Sequence, residues 1–339
     1  MSFATHIGSA DAAAAHAVPI VAVALRNAVP GPVDLGAETA ATRWVKVRRG
    51  SYVAAAAWAG LPSDAQLLVR AHAVAKDGET ARLFSHCTAA RVWGLPMIGR
   101  PEPKVEVLVS DGRTGRTPGV IRRRTQNLPS GQLLHGLCVT GAARTAVDLA
   151  RVQSLASAVS VFDDVLRRRL ATRDELPAQV NAVPRGGRGR RQAGLAVALA
   201  DPASESAGES LSRVRLWEAG FARPSLQDNI FDARGFVGRV DMFWEELAVV
   251  GEFDGRIKYA VDQSQSSEQA AENLWREKLR EDRLRALGLT VVRWTWDEAL
   301  HANAMLSKLR VAGVRNGHET QWPSWAPPSG VGNVPVAYS

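Results

Sequence analysis

The clearest alternation of apolar and polar positions lies between Glu205 and Trp296. A mixed helical run to Gly220 is followed by three strand-like runs, at about Leu226–Ile230, Phe236–Trp244 and Leu247–Phe253. A long charged segment, Glu268–Leu287, carries helical periodicity, and Leu289–Trp296 is again strand-like. The order α-β-β-β-α-β predicts a compact α/β unit. Further forward, apolar and basic residues alternate through Trp44–Val53 around Gly50, which predicts a short helix and then a β-hairpin. Ser63 with Gln66 predicts a capping box opening a helix to about Asp77. Ser85–Trp93 reads as a short helix stopped by Gly94 and Pro96, followed by strands at Val105–Val109 and Gly119–Arg123. Helices are expected at Thr140–Ala150, at Leu155–Leu170, and from Thr172-x-x-Glu175 onward. Trp93, Trp217, Trp275, Trp294 and Trp296 fall on apolar positions and read as core.

These elements divide the chain. Residues 1–30 lack periodicity and are expected to be disordered. Residues 31–62 form a degenerate winged-helix region, and 63–200 a mixed α/β domain whose end holds Pro184–Arg191, a linker or exposed basic loop. Residues 201–312 form the second α/β domain, and the Pro- and Gly-rich 313–339 a disordered tail. The fold class is therefore α/β (α+β) and multidomain, as a length of 339 residues also requires.

Charge sharpens this division. Residues 1–200 hold 26 Lys and Arg against 14 Asp and Glu, a net +12, while residues 201–339 hold 16 against 20, a net −4. A basic front suits a polyanion, and an acidic rear suits chemistry that needs carboxylates. Two cysteines without paired spacing, Cys87 and Cys138, exclude a disulfide framework and a cysteine zinc site. The apolar stretch Ala12–Leu25 is broken by His16 and Pro19 and has no basic residue before it. Neither a signal peptide nor a membrane span is expected, so the reading is cytoplasmic, without a membrane partner.

The candidate chemistry sits in the rear. Asp241 interrupts a strand between Val240 and Met242, Glu252 closes the run Leu247–Gly251, and Asp254 follows on the same strand face. A two-residue turn at Glu245-Glu246 would set Asp241 opposite Val250, with Glu252 its diagonal neighbour at roughly 5–8 Å. Such carboxylates repel unless a cation lies between them, and Mg²⁺ or Mn²⁺ fits. The ion would polarise a phosphodiester and activate water, with Lys258 or Lys278 as the cation facing developing charge. The competing readings are plain: strand-end surface carboxylates, an Asp-Gly turn at Asp254, and for Glu209 an i,i+4 pair with Arg213. His86 beside Cys87 reads as a cap or core residue.

The run Gly238-Arg239-Val240-Asp241-Met242-Phe243-Trp244 and Gly251-Glu252-Phe253-Asp254-Gly255, with Glu277-Lys278-x-Arg280-Glu281 and Val291-Val292-Arg293-Trp294, resembles the very-short-patch-repair-like branch of PD-(D/E)XK endonucleases over about 90 residues. The resemblance implies metal binding by Asp241 and Glu252, helped by Glu209 of the first helix. Asp254 stands where that family has its lysine, leaving Lys258 and Lys278 as candidate replacements. The front, through Val47-Arg48-Arg49-Gly50-Ser51, Ser85-His86-x-x-Ala89-Ala90-x-x-Trp93-Gly94-Leu95-Pro96 and Val139-Thr140-x-x-Ala143-Arg144-Thr145, resembles AbiEi-type antitoxins. That implies DNA contacts by Lys46, Arg48 and Arg49 on the hairpin. Arg122, Arg123 and Arg124 read as a second phosphate-binding stretch. Two functions follow as expectations: a DNA-binding protein with a Mg²⁺-dependent endonuclease domain, or a non-catalytic antitoxin and transcriptional regulator acting on its own operator or a toxin partner.

Overall fold

The computed structural model describes residues 21–22, 44–76, 82–99, 103–110, 115–255, 267–315 and 322–323. It is a multidomain α/β protein with helices and several small sheets. The chain divides into two compact units, residues 3–154 with 169–193 and residues 155–168 with 194–339.

The front unit opens with β1 (Val21–Ala22), β2 (Trp44–Arg48) and β3 (Ser51–Ala54), in sheet order β1-β3-β2. Gly50, at φ +75°, takes the left-handed conformation that closes the β2–β3 hairpin. The helix expected before it lies outside the described residues. Within the region expected to be disordered, Val21 and Ala22 instead pair with Tyr52 and Ser51. Next come α1 (Ala55–Ala59) and α2 (Ser63–Ala75). The expected capping box at Ser63 does not form, because Pro62 is the cap residue and Ser63 is already helical. Gln66 turns away and donates to the carbonyls of Trp58 and Leu61.

Helix α3 (His86–Trp93) ends at Gly94, φ +66°. Strands β4 (Val105–Val109), β5 (Gly115–Thr117) and β6 (Val120–Arg124) follow, β6 parallel to β4 and antiparallel to β5. The hairpin β7 (Gly131–Leu134) and β8 (Leu137–Thr140) is not foreshadowed by the hydrophobic pattern, because its apolar Leu133 points to solvent and blurs the alternation. Leu68, Phe84, Val92, Val107, Leu137 and Val139 form the core beneath α2 and α3. Helix α4 (Ala142–Ala150) completes this layer.

The chain then leaves the front unit for one helix, α5 (Leu155–Arg167), and returns with α6 (Glu175–Asn181). Here the Thr172/Glu175 box does form, with Thr172 N–H donating to Glu175 and Glu175 N–H to Thr172 Oγ1. In the basic stretch Pro184–Arg191, Pro184, Arg185, Gly186 and Arg188 are exposed. Gly189 lies so close to the Arg151 backbone that a Cβ would sit 2.3 Å from its carbonyl oxygen. Helix α7 (Arg190–Leu199) begins within that stretch.

The rear unit packs α5 against α8 (Ala207–Glu218). Asp163 of α5, wholly buried, accepts from Arg213 Nη1 at 2.9 Å, Ser210 Oγ at 2.7 Å and the Asp201 amide at 2.6 Å. This network draws α5 into the rear unit, although its place in the sequence suggested the middle domain. It also takes Arg213 away from the i,i+4 pair with Glu209 that stood as the competing reading of that acid. The sheet then runs through β9 (Ser225–Asp232), β10 (Gly235–Trp244) and β11 (Val249–Asp254), crosses over through α9 (Ser267–Ala286), and ends in β12 (Thr290–Thr295). Strand order is β12-β11-β10-β9, with β12 parallel to β11 and the rest antiparallel.

Ile230, Val240, Phe243, Val250, Leu284 and Leu289 fill one core cluster. Trp294 is buried and donates to Ser212 Oγ at 2.7 Å. Gly251 makes room for its ring, since a Cβ there would lie 2.6 Å from it. Trp275, expected in the core, is exposed on α9. Helices α10 (Trp296–His301) and α11 (Asn303–Val311) close the unit. Trp322, placed by sequence in the disordered tail, is buried with its indole N–H on the Phe221 carbonyl. Among the described residues no helix is long and apolar enough to cross a membrane.

Candidate functional site

The β10–β11 connection sets the register of the acids. It is a 3₁₀ turn, Glu245–Leu247, followed by Ala248 at φ +52°, and not the two-residue turn the sequence suggested. Met242 therefore pairs with Gly251, Phe243 with Val250 and Trp244 with Val249. One step further along, Asp241 faces Glu252 directly. On the other side of β10, between the pairs Val240–Asp228 and Met242–Leu226, Asp241 is level with Gln227. Across the parallel pairing Glu252 meets Arg293. Gln227, Asp241, Glu252 and Arg293 thus form one row across four strands.

The row opens into a cavity of about 270 Å³ lined by Arg239, Asp241, Glu252, Asp254, Arg280 and Arg293, among others. Glu252 is held from two sides. Arg280 Nη2 donates to its Oε1 at 2.5 Å, and Arg293 Nε to its Oε2 at 2.9 Å. Glu277 binds both arginines in turn. Burial opposes the charge on Arg280, but Glu252 and Glu277 more than restore it, so its guanidinium is held more firmly charged than usual.

Asp241 lies in a different environment. Its Oδ2 accepts the Phe253 amide at 2.9 Å. Burial, then the nearby Glu209 and Glu252 carboxylates, push its carboxyl up to about 6. Glu209 of α8 is itself buried and raised, chiefly by burial. It accepts from Ser206 Oγ, from the Glu205 amide and from Gln227 Nε2 at 3.0 Å. Gln227 reaches this position at φ +57°, outside ordinary strand geometry. Strain and buried carboxylates are costly for folding and gather where a site requires them.

The structure thus brings Asp241, Glu252 and Asp254 to one cavity. It does not assemble the expected metal set of Asp241, Glu252 and Glu209. Among the described residues no three His, Cys, Asp or Glu side chains converge to hold a metal ion. The partners give the reason: arginines donate to both oxygens of Glu252, and Glu209 is turned to its own helix cap and Gln227. Lys258 lies outside the described residues. Lys278 is exposed, its ammonium 5.9 Å from the Trp275 ring centroid, and does not line the cavity. The cations of the cavity are Arg239, Arg280 and Arg293, none of which the sequence singled out. Strand alternation could have found Arg239, two residues before Asp241 on the same face. Arg293 needed the β11–β12 register, and Arg280 the packing of α9.

In the front unit Lys46 and Arg49 are exposed on the hairpin, and Arg48 is half-buried. The Arg122–Arg124 stretch splits by strand alternation. Arg123 donates to the buried Glu106 at 2.6 and 2.9 Å, a structural pair, and only Arg124 of the three is exposed. Glu106 also accepts the Cys87 amide at the start of α3. Burial keeps the neighbouring His86 imidazole neutral, lowered to about 4, and raises the Cys87 thiol to about 12, so neither is poised for chemistry.

No family model matches the chain. Two uncharacterized proteins of Mycobacterium tuberculosis, MT2308 of strain CDC 1551 and Rv2248 of strain H37Rv, are each 31% identical to it over 161 residues. That stretch is 48% of this chain and 56% of the relatives, so the chain spans about half the length of the curated proteins it matches. No solved structure matches.

Proposed function

We propose that this protein is a DNA-binding regulator whose rear unit has an endonuclease-like architecture and uses it to hold a nucleic-acid backbone, not to cut it. One observation carries this reading. Glu252, the second acid of the nuclease pattern, is neutralised by Arg280 and Arg293 on the two sides of the cavity. Asp254 standing in the lysine position supports the same reading, as does the basic front. The Mg²⁺ or Mn²⁺ that the nuclease resemblance implies does not fit the donor set as arranged, because two arginines donate to the Glu252 carboxylate and place their positive charge where the cation would stand. Arginines at a polar cavity suit phosphate, since a planar guanidinium can engage its oxygens bidentately. Lys46 and Arg49 on the hairpin would add backbone contacts in the front unit.

A second reading, a metal-dependent endodeoxyribonuclease, is favoured by Asp241 and Glu209. After burial, the Glu209 carboxylate raises the proton affinity of Asp241, which a cation would relieve.

One experiment separates the two. Supercoiled plasmid is incubated with purified full-length protein and Mg²⁺ or Mn²⁺, beside binding to the upstream DNA of its own gene across a salt series. Salt-sensitive binding without nicking is the expected result. Nicking that disappears in Asp241→Ala overturns it in favour of the second reading.

A further inference from the structure

A second cavity, of about 460 Å³, opens on α9 where that helix crosses the β9–β10 turn. Arg276, Leu279, Arg280 and Arg283 line it from one stripe of the helix, with spacing i, i+3, i+4 and i+7. Arg234 of the turn and Val237 of β10 form the opposite side. Arg280 also lines the acid cavity, so one guanidinium is the common wall of both.

The chemistry of the lining is mixed in a particular way. Leu279 is 45% exposed and Val237 lies beneath, an apolar floor. Around it stand four arginines and one carboxylate, Asp282. Arg283 is fixed, donating to both oxygens of Asp232 at 2.6 and 2.8 Å and to the carbonyls of Phe236 and Gly235. Arg280 is fixed by Glu252, Glu277 and the Arg239 carbonyl. Arg276 and Arg234 are largely exposed, one beside Glu272 and one beside Asp232. Rigid arginines next to more exposed ones, over an apolar patch, match a ligand with a negative backbone and a flat apolar face.

We propose that this cavity is a subsite for an unpaired nucleotide, its base on Leu279 and Val237 and its phosphate on Arg276 and Arg234, adjoining the phosphate held at the Arg239–Arg280–Arg293 cavity. A base inside a duplex could not reach the floor, so the subsite selects single-stranded or frayed nucleic acid. The proposal rests on the nucleic-acid reading above and adds to it the position and strand state of the ligand.

The test is fluorescence anisotropy of full-length protein with a labelled thymidine oligonucleotide, a same-length abasic strand and a blunt duplex. Wild type binds the intact strand about fivefold more tightly than the abasic one, as expected when ~40 Å² of apolar surface is buried at about 25 cal/mol per Å². Leu279→Gln, a surface change to a good helix former, removes that difference. Arg276→Gln weakens both strands and lowers the magnitude of the salt slope by about 0.7, one phosphate contact on a single strand. Equal binding of intact and abasic strands by wild type overturns the subsite. So does unchanged binding by both variants while Arg293→Gln weakens it, an outcome that leaves the nucleic-acid reading standing. Absence of any nucleic-acid binding by wild type removes both together.

Discussion

Two acid–arginine clusters in the rear unit look alike in composition and differ in every physical respect. Asp163 with Arg213 is sealed between α5 and α8, and each partner is completed by neutral neighbours: Ser210 and the Asp201 amide on one side, Ser204 and the Leu199 carbonyl on the other. Glu252 with Arg280 and Arg293 stands at the wall of an open cavity, within a chain of alternating charges that runs on to Glu277 and Glu281. The first is closed, and nothing could enter without dismantling it. The second can exchange one carboxylate for another anion, because its arginines have solvent on one side. A buried pair contributes to holding the fold, whereas a half-buried network of the same residues is material for a binding site.

The largest effect that would test this contrast is at Arg213. Arg213→Ala leaves the Asp163 carboxylate buried against Ser210 and the Asp201 amide with no compensating charge, and should cost about 3–5 kcal/mol, read as early unfolding in urea. A loss below about 1 kcal/mol would show the pair to be no more structural than its exposed counterpart.

Asp241→Asn comes next. The carboxyl of Asp241 is raised to about 6 from an ordinary 3.8, so the folded protein binds a proton more tightly than the unfolded chain does. Stability is therefore lost as pH rises from about 4 to about 6 and stays lost above. The asparagine variant keeps an acceptor for the Phe253 amide and never ionises. It should be more stable by about 1–3 kcal/mol at pH 7, with the difference vanishing near pH 4. Thermal melts of both proteins across that range test it, and a difference independent of pH would contradict the buried-charge explanation.

Arg280→Gln should cost about 1 kcal/mol of stability or less, Glu252 retaining Arg293, yet weaken oligonucleotide binding about tenfold. Equal losses in both would make Arg280 structural, like Arg213. At the small end, Lys278→Ala should change stability by less than about 0.5 kcal/mol and binding by less than about twofold, since the side chain rests on Trp275 at the surface. A large effect there would move the site away from the cavity.

How much of this was legible beforehand depends on what each feature obeys. Strands and helices of the rear unit follow local periodicity, and β9, β10, β11, α9 and β12 fall within two or three residues of where alternation put them. Asp241, Glu252 and Asp254 share a cavity because parity along two strands survives any even change of register. Register itself did not survive. Two further residues in the turn, Leu247 and the left-handed Ala248, moved Glu252 from a diagonal neighbour of Asp241 to a direct one. The arginines were hidden for another reason. Arg280 is an ordinary member of a charged helix that only the packing of α9 over the sheet singles out, and Arg293 meets Glu252 only through the β11–β12 register. In the front unit Arg123 shows the reverse error, a basic residue that reads as surface and folds onto Glu106.

The excursion of α5 has a consequence for heredity as well as for the bench. The polypeptide passes between the two units three times, after residues 154, 168 and 193. A cut near residue 200 would deliver an orphan: α8 stripped of Asp163, its guanidinium left without the carboxylate that balances it. Neither half can be lifted out by a single crossover and spliced onto a stranger. A rear fragment meant to fold by itself has to carry residues 155–168 along with everything after 193.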